Sequence, residues 1–450
     1  MTSTVNIVFK SLYSCAHKCP FCHVLAIPRN VSYMSTAAVK ATFDEIERRF
    51  AGGRVELELS GGEFTQRKDA VELVRYLRTK RICFSSLVLD TMAVPLADDA
   101  LCQALGALFD KVNVFIHAPD AETHALTSGS STSFARLQHA LANVFRYFRA
   151  VFTNTSICVH NYDRLDRIAE MILAARTASP QTPLFCLFYL PVYREYGAAG
   201  AESAWRLQAD SNVDLLPPAE ALPHMRAEFG RVRARLAGHG VAAVLRDFNV
   251  PACIHHAVAE VYPENAFGLA NFMTGCLFTD YAHPLEEQHT LEAVYPSMSD
   301  RVKSDACGSC VASDVCPGVP AHWQERGYRV APLDRSEYGR QFPMRLLNQV
   351  LFAAVHDAVV LQRAVAHLPV DWTATAVSFL ARVAGDAPDI ETARARVRAL
   401  TPGERVDHLV AHLSSGTAAE AMLAKLIGSQ RSCDGGAPVN ALRAAAAAGT

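Results

Sequence analysis

Over residues 4–191, short β-branched and aromatic runs alternate with amphipathic stretches at helical spacing. This alternation narrows the possible folds more than any other feature of the chain. Candidate strands lie at residues 5–9, 55–59, 83–89, 112–116, 152–159 and 184–190. Helices are predicted between them at 36–50, 69–77, 98–109, 133–148 and 163–176. The first helix shows the logic: apolar residues recur on one face, charges occupy the other, and Gly52-Gly53 stops it. Strands joined through helices run parallel, with right-handed crossovers. In barrels of such units the chemistry gathers in the loops at the carboxyl ends of the strands, and the residues of chemical interest fall there.

The first of those loops holds Cys15-Ala-His-Lys-Cys19-Pro-Phe-Cys22, a C-x3-C-x2-C spacing. Three closely spaced thiolates can hold three irons of a four-iron cluster and leave the fourth open to a small molecule. A zinc ion would also accept these thiolates, with His17 or His23 as the fourth ligand. One βα unit later comes Leu59-Ser60-Gly61-Gly62-Glu63. Two glycines let backbone carbonyls approach a ligand, and a carboxylate beside them complements an ammonium. The triplet and this turn, at these positions, resemble the radical S-adenosylmethionine (SAM) superfamily.

That resemblance implies an α/β fold, a partial (β/α)6 TIM-like barrel. It implies a [4Fe–4S] cluster on Cys15, Cys19 and Cys22, with SAM chelating the open iron. Gly61, Gly62 and Glu63 would hold the methionine amino group, and Phe21 would lie where the loop meets the adenine. Asp90-Thr91-Met92 stands where relatives carry Thr-Asn-Gly, and the chain departs from them at Met92 and Ala93; Thr91 would line the site. The run from Phe115 through His117-Ala-Pro-Asp120-Ala-Glu-Thr-His124, with Gly129 and Ser133-Phe134 after it, resembles a segment of relatives with C-terminal auxiliary clusters. His117 would face SAM or substrate as the catalytic candidate, whereas His124 reads as structural. On the fifth strand, Asn154 or Ser156 would touch the ribose or carboxylate of SAM, and Asn161 reads as a cap or turn residue. Tyr189 and Tyr193, followed by Arg194 and Glu195, flank the end of the sixth strand.

A second cysteine group, Cys307-Gly-Ser-Cys310 with Cys316-Pro-Gly318 beyond it, has the spacing C-x2-C-x5-C. It resembles part of the SPASM and twitch extensions, which bind auxiliary clusters; Tyr328 and Pro332 fit the usual sequel. Upstream stand Pro251-Ala-Cys253 and Gly275-Cys276. The five cysteines here, with Pro320 where a further one would stand, imply one auxiliary [4Fe–4S] cluster. Its ligands would be Cys307, Cys310, Cys316 and either Cys253 or Cys276, with Cys253 preferred for its Pro-Ala lead-in. Zinc suits four thiolates equally. Cys83, Cys102, Cys158 and Cys186 read as small core hydrophobes, and Cys433 lies in the tail.

Five segments are expected along the 450 residues: a core barrel at 1–195, a linker with a helix and a strand (241–247) at 196–250, a small cysteine-rich cluster domain at 251–335, a helical region at 336–431, and a disordered alanine-rich tail at 432–450. Apolar stripes at 346–361 and 374–383 are expected to pack on the barrel. A net charge of −2 argues against nonspecific binding to nucleic acid or anionic membrane. Thirteen cysteines without an export signal or a membrane-spanning run indicate metal ligands and buried thiols in a cytoplasmic protein. With the barrel expected to start close to Met1, the N-terminal leader-binding domain common in peptide maturases is not expected, which still leaves a peptide substrate open. The expected activity is reductive cleavage of SAM to a 5′-deoxyadenosyl radical that takes hydrogen from a peptide or small natural-product precursor. A low-potential donor such as flavodoxin or ferredoxin would supply the electron. Methyl or aminocarboxypropyl transfer from SAM, or a non-catalytic cluster scaffold, are the alternatives.

Overall fold

The structure, a computed structural model, describes residues 5–22, 33–51, 53–190, 215–246, 252–258, 276–280, 301–310, 318–320, 323–324, 326–332, 347, 350, 370–387 and 390–431. Within the barrel the elements run β1 (Val5–Lys10), α1 (Thr36–Phe50), β2 (Arg54–Ser60), α2 (Ala70–Arg78), β3 (Cys83–Thr91), α3 (Asp99–Gly106), β4 (Lys111–Phe115), α4 (Ala121–Ser128), α5 (Phe134–Tyr147), β5 (Val151–Ser156), α6 (Leu165–Arg176) and β6 (Leu184–Tyr189). Then follow α7 (Leu222–Ala237), β7 (Ala242–Arg246), α8 (Ala252–Val258) and β8 (Cys276–Asp280).

Local chemistry accounts for these elements. Ser35 caps α1 by accepting from Ala38 N at 3.1 Å, and Arg48 and Arg49 close its last turn, where cations meet the negative end of the helix dipole. The helix buries Val39, Phe43 and Ile46, and Phe43 meets Phe9 of β1 edge to face at 5.6 Å. In β2, buried Val55, Leu57 and Leu59 alternate with half-buried Glu56, Glu58 and Ser60, the period-two signature of a strand.

All the barrel strands pair in parallel, in the order β7-β6-β5-β4-β3-β2-β1-β8. The six expected strands are present, and the segment at 241–247 supplies β7, which pairs with β6. The strand β8 was not foreseen; it lies against β1 with Asn6 opposite Cys276 and Lys10 opposite Asp280. The sheet therefore extends beyond residue 195, and has eight strands where the sequence pattern suggested six in the barrel and a seventh at 241–247 outside it. β8 has only five residues, too few to show a periodicity, and it is recruited by the hydrogen-bonding edge of β1.

The sheet has two chemically different faces. Ile7, Phe9, Val55, Leu57, Leu89, Val112, Val114 and Phe188 lie in one buried cluster with the helices. The alternate positions face the barrel interior. There Lys111 Nζ lies 2.9 Å from Glu56 Oε2 and 5.3 Å from the centre of the Phe152 ring, and Asn113 Nδ2 donates to Asp90 Oδ1 at 2.7 Å. Phe152, Phe185, Leu187 and Val244 make the interior apolar from β5 to β7.

That apolar interior is not left open. It shares a buried cluster with Ala376 and Phe379 of α9 (Trp372–Ala384), Val397 of α10 (Ile390–Ala399), Leu409 and Leu413 of α11 (Pro402–Ser414), and Leu423 and Ile427 of α12 (Ala418–Arg431). The C-terminal helices thus pack on the barrel through its inner, not its outer, face. Nearer the carboxyl ends of the strands, Asp90, Asn113, Phe115 and Tyr189 are only half-buried, so the interior opens there. The apolar stripe at 374–383 belongs to α9, whereas most of 346–361 falls outside the described residues.

In the cysteine-rich segment a short antiparallel pair, β9 (Arg301–Val302) and β10 (Val319–Pro320), frames the second cysteine group. Trp323 and Tyr328 are fully buried with the main core, and the Tyr328 hydroxyl donates to Pro217 O at 2.9 Å. The described residues contain no helix long and apolar enough to cross a membrane.

Leu187→Ala, which empties the middle of the contact between barrel interior and C-terminal helices, is expected to cost about 2–5 kcal/mol. Amide exchange should accelerate in α9–α12 more than in α1–α3, as read by mass spectrometry.

Candidate functional site

The loop after β1 is held on all sides by backbone hydrogen bonds. Gly62 N donates to Leu12 O at 2.7 Å, Glu63 N to Ser14 O at 2.9 Å, and Lys18 N to Ser128 O at 2.7 Å. Arg67 Nη1 donates to Ser11 O and Met34 O at 3.3 and 2.9 Å while its other nitrogens pair with Asp69. The two glycines of the turn after β2 explain themselves sterically. Gly61 has φ of 123°, and a Cβ there would strike Leu12 O; one on Gly62 would strike Ser14 O. Their first use is close approach to the cysteine loop, which places the turn and the three thiols side by side.

Cys19 and Phe21 are buried with Cys158 and Leu215, and Cys22, Met92 and Val159 pack against them. Cys22 N donates to Cys19 O in a tight turn at 2.9 Å. Burial pushes the Cys15 thiol up to about 12, with the charges of Glu63 and Cys22 adding to it and the His17 backbone amide opposing. Cys19 is pushed well above the ordinary thiol range by burial, then by Cys22 and Cys15. The three thiols therefore feel one another, and as thiolates they need a positive partner; bound iron is one. The set fits a cluster in that sense. A four-iron cluster takes one thiolate per iron.

Glu63 is buried beneath this loop. Its Oε1 accepts from Thr65 Oγ1 at 2.5 Å, Thr65 N at 3.2 Å and Thr91 Oγ1 at 2.7 Å, and its Oε2 from Met92 N at 2.7 Å. Burial raises its pKa and these donors oppose the rise. The carboxylate thus ties the end of β3 to the Gly61-Gly62 turn. Thr91 Oγ1 in turn accepts from Ala93 N at 2.8 Å. Ala93 has φ of 62°, the left-handed conformation that glycine takes without strain.

His117 follows β4 and is buried. Its Nδ1 accepts from Ser156 N at 3.1 Å, which leaves the ring proton on Nε2. Its ring meets Phe21 edge to face at 4.7 Å, so the structure brings two of the expected site residues together. Burial, then His124 and His17, lower its pKa to about 3, so the ring is neutral near pH 7. The Ser156 hydroxyl is buried without a partner among the described residues. Asn154, two residues earlier on the same strand face, is buried and accepts from Ile116 N through its carbonyl at 2.9 Å.

One positioning residue escaped the sequence reading. Asn161, expected as a cap or turn, is fully buried; its Oδ1 accepts from Cys158 N at 2.7 Å and its Nδ2 donates to both His117 O and Ser156 O at 2.8 Å. It joins the ends of β4 and β5. Nothing in its local sequence reveals this, because its partners are set by strand neighbours.

Of the second cysteine group, Cys307 and Cys310 share one turn, Cys310 N donating to Cys307 O at 3.1 Å. Cys253 lies on α8, half-buried against the main core. Cys276 opens β8 at the amino-terminal edge of the sheet, beside Asn6, whereas the first triplet follows its carboxyl edge. Cys316, Tyr193, Arg194, Glu195 and His23 lie outside the described residues.

Two outcomes follow from these contacts. Ala93→Gly removes a left-handed alanine, strained by about 1–2 kcal/mol, and is expected to raise the thermal unfolding temperature, glycine's backbone entropy offsetting part of the gain. His117 has a folded pKa of about 3, below the ordinary 6.5, so its contribution to stability is complete above pH 6.5 and falls away as the pH drops towards 3. Unfolding curves of His117→Gln are therefore expected to lose less stability than wild type between those limits.

The chain is similar to the Streptococcus suis protein SuiB bound to S-adenosylmethionine, at 11% identity over 72% of this chain and 75% of that one, with a TM-score of 0.49. It is similar to anSMEcpe with bound AdoMet at 12% identity over 77% and 97%, with a TM-score of 0.47, and to HydG, a maturase of the [FeFe]-hydrogenase, at 9% over 89% and 83%, with a TM-score of 0.39. Residues 10–172, which hold the cysteine triplet, the glycine turn and His117, match the model of the Radical SAM superfamily.

Proposed function

We propose that this protein is a radical SAM enzyme, with a [4Fe–4S] cluster on Cys15, Cys19 and Cys22 and SAM at the open iron. The observation that carries this reading is the seam of Gly62 N to Leu12 O and Glu63 N to Ser14 O, which presses the glycine turn against the thiols at the carboxyl end of a parallel sheet. When reduced by one electron, such a pair supplies methionine and a 5′-deoxyadenosyl radical able to take hydrogen from an unactivated C–H bond.

The chain's own residues bind, orient and exclude water. The Gly61-Gly62 turn, held open by the Glu63 carboxylate's bonds to Thr65, Thr91 and Met92, offers its carbonyls to the SAM ammonium. Phe21, Met92, Cys158 and Leu215 form an apolar wall that keeps water from the reacting centre. Neutral His117, with its proton on Nε2, presents a donor at the top of β4, and Asn154 and Ser156 offer polar atoms on β5. The half-buried interior of Asp90, Asn113, Phe115 and Tyr189 would hold the target carbon close to the radical. The substrate is a peptide or small natural-product precursor, oxidised, crosslinked or rearranged, which makes the enzyme an oxidoreductase or maturase.

One auxiliary [4Fe–4S] cluster in a SPASM- or twitch-like segment completes the proposal. Cys307, Cys310 and Cys316 would hold it with Cys253 or Cys276, and the shared turn of Cys307 and Cys310 supports the first pair. A flavodoxin or ferredoxin would be the electron donor, in the cytoplasm.

Anaerobic reconstitution, followed by dithionite and SAM, tests the reading. The expected result is about eight irons and eight sulfides per chain, and 5′-deoxyadenosine that disappears in a Cys15/Cys19/Cys22→Ala variant. S-adenosylhomocysteine or methylthioadenosine in its place would point to group transfer, and triplet-independent products would overturn the proposal.

A further inference from the structure

Ser133 occupies the N-cap position of α5, where a serine hydroxyl ordinarily accepts from a backbone amide of the first turn. It makes no such bond. Its Oγ lies instead 3.0 Å from His17 Nε2 and 2.8 Å from His124 Nε2, and all three residues are buried. The imidazoles meet edge to face at 5.4 Å, and His124 rests on Phe134 at 5.5 Å.

A hydroxyl carries one proton and two lone pairs, so within this trio the Ser133 proton is used only when one imidazole donates to Ser133 and the other accepts from it. His17 Nδ1 is buried without a partner, and an orphaned N–H is rarer than an orphaned acceptor. The network therefore assigns His17 as the donor through Nε2–H, Ser133 as donor to His124 Nε2, and the His124 proton to Nδ1. Two further contacts join the same two segments: Lys18 N donates to Ser128 O at 2.7 Å, and Gly129, at φ of 65°, lets the chain approach Lys18 O more closely than a Cβ would permit.

What this arrangement positions is a thiol. His17 stands two residues after Cys15 in the same loop, and its backbone amide lowers that thiol's pKa, so the residue held by Ser133 through its side chain carries its main chain beside the first cysteine of the triplet. Hydrogen bonds to ligating sulfurs are among the groups that set cluster potentials, because the positive end of an N–H dipole favours the extra electron.

We propose that Ser133, with His17 and His124, is a positioning latch that docks the cysteine loop on the α4–α5 segment and fixes the His17 backbone beside Cys15. The docking stands on this chain alone; its consequence for a cluster rests on the proposed function, and the test separates the two. In the metal-free chain, Ser133→Ala is expected to raise exchange of the Lys18 amide roughly fivefold, the loss of one buried hydrogen bond, with exchange in β2–β4 unchanged. Ser133→Thr, which keeps the hydroxyl, is expected to restore it, and His124→Phe, which keeps the packing on Phe134, to behave like Ser133→Ala. In the reconstituted protein, the midpoint potential of the triplet's cluster should become more negative in Ser133→Ala and return in Ser133→Thr. Unaltered Lys18 exchange in both Ser133→Ala and His124→Phe overturns the latch. A changed exchange with an unmoved potential overturns its role towards Cys15. A wild-type chain that assembles no cluster overturns the proposed function and leaves the exchange result to decide the latch.

Discussion

Two backbone hydrogen bonds, Gly62 N to Leu12 O and Glu63 N to Ser14 O, hold the top of this barrel together. They extend the parallel pairing of β1 and β2 beyond the last ladder residues, Lys10 and Ser60, into the loops that follow. Only glycine allows that approach, since a Cβ at either position would collide with a carbonyl oxygen. Once the loops are zipped, Glu63 is carried into the interior, and Thr65, Thr91 and Met92 must converge on it to satisfy a buried carboxylate. The left-handed backbone of Ala93 follows from the same geometry, because the chain must turn away sharply after its amide meets Thr91 Oγ1.

A second group of buried polar residues repeats the pattern on the far side of the site. Asn161 ties the carbonyls of His117 and Ser156 together, the Ser156 amide fixes the His117 ring, and that ring supports Phe21. The hydrogen bonds join the ends of the neighbouring strands β4 and β5, and the ring contact reaches the loop after β1. Satisfied buried networks of this sort favour one arrangement of the loops, since every alternative strands a donor or acceptor.

The lower part of the barrel is held by different forces. Towards β2 and β4 the interior closes with the Glu56–Lys111 pair flanked by Phe152; towards β6 and β7 it closes with apolar side chains that, among the described residues, the C-terminal helices cover. An open parallel sheet exposes both faces and cannot leave an apolar one in water. The C-terminal helices therefore belong to the fold's stability, and they leave the half-buried positions near the strand ends free for a ligand.

Much of this was legible in the sequence, because the relevant signals are local. The alternation of strands and helices follows from side-chain periodicity, and the cysteine spacing and the glycine turn lie within a few residues of one another. Other features depended on what lies across the sheet. The five residues of β8 carry no pattern of their own, and their place was decided by the free edge of β1. Asn161 and Ser133 look like ordinary turn and cap residues until His117, His17 and His124 are brought beside them. The position of the C-terminal helices was equally undetermined, since an apolar stripe states that a face must be buried but not against what. The sequence by itself determined the strand–helix order and the residues offered for chemistry, through interactions within a few residues along the chain. The tertiary structure alone decided which buried donors and acceptors meet, because those contacts join residues tens of positions apart.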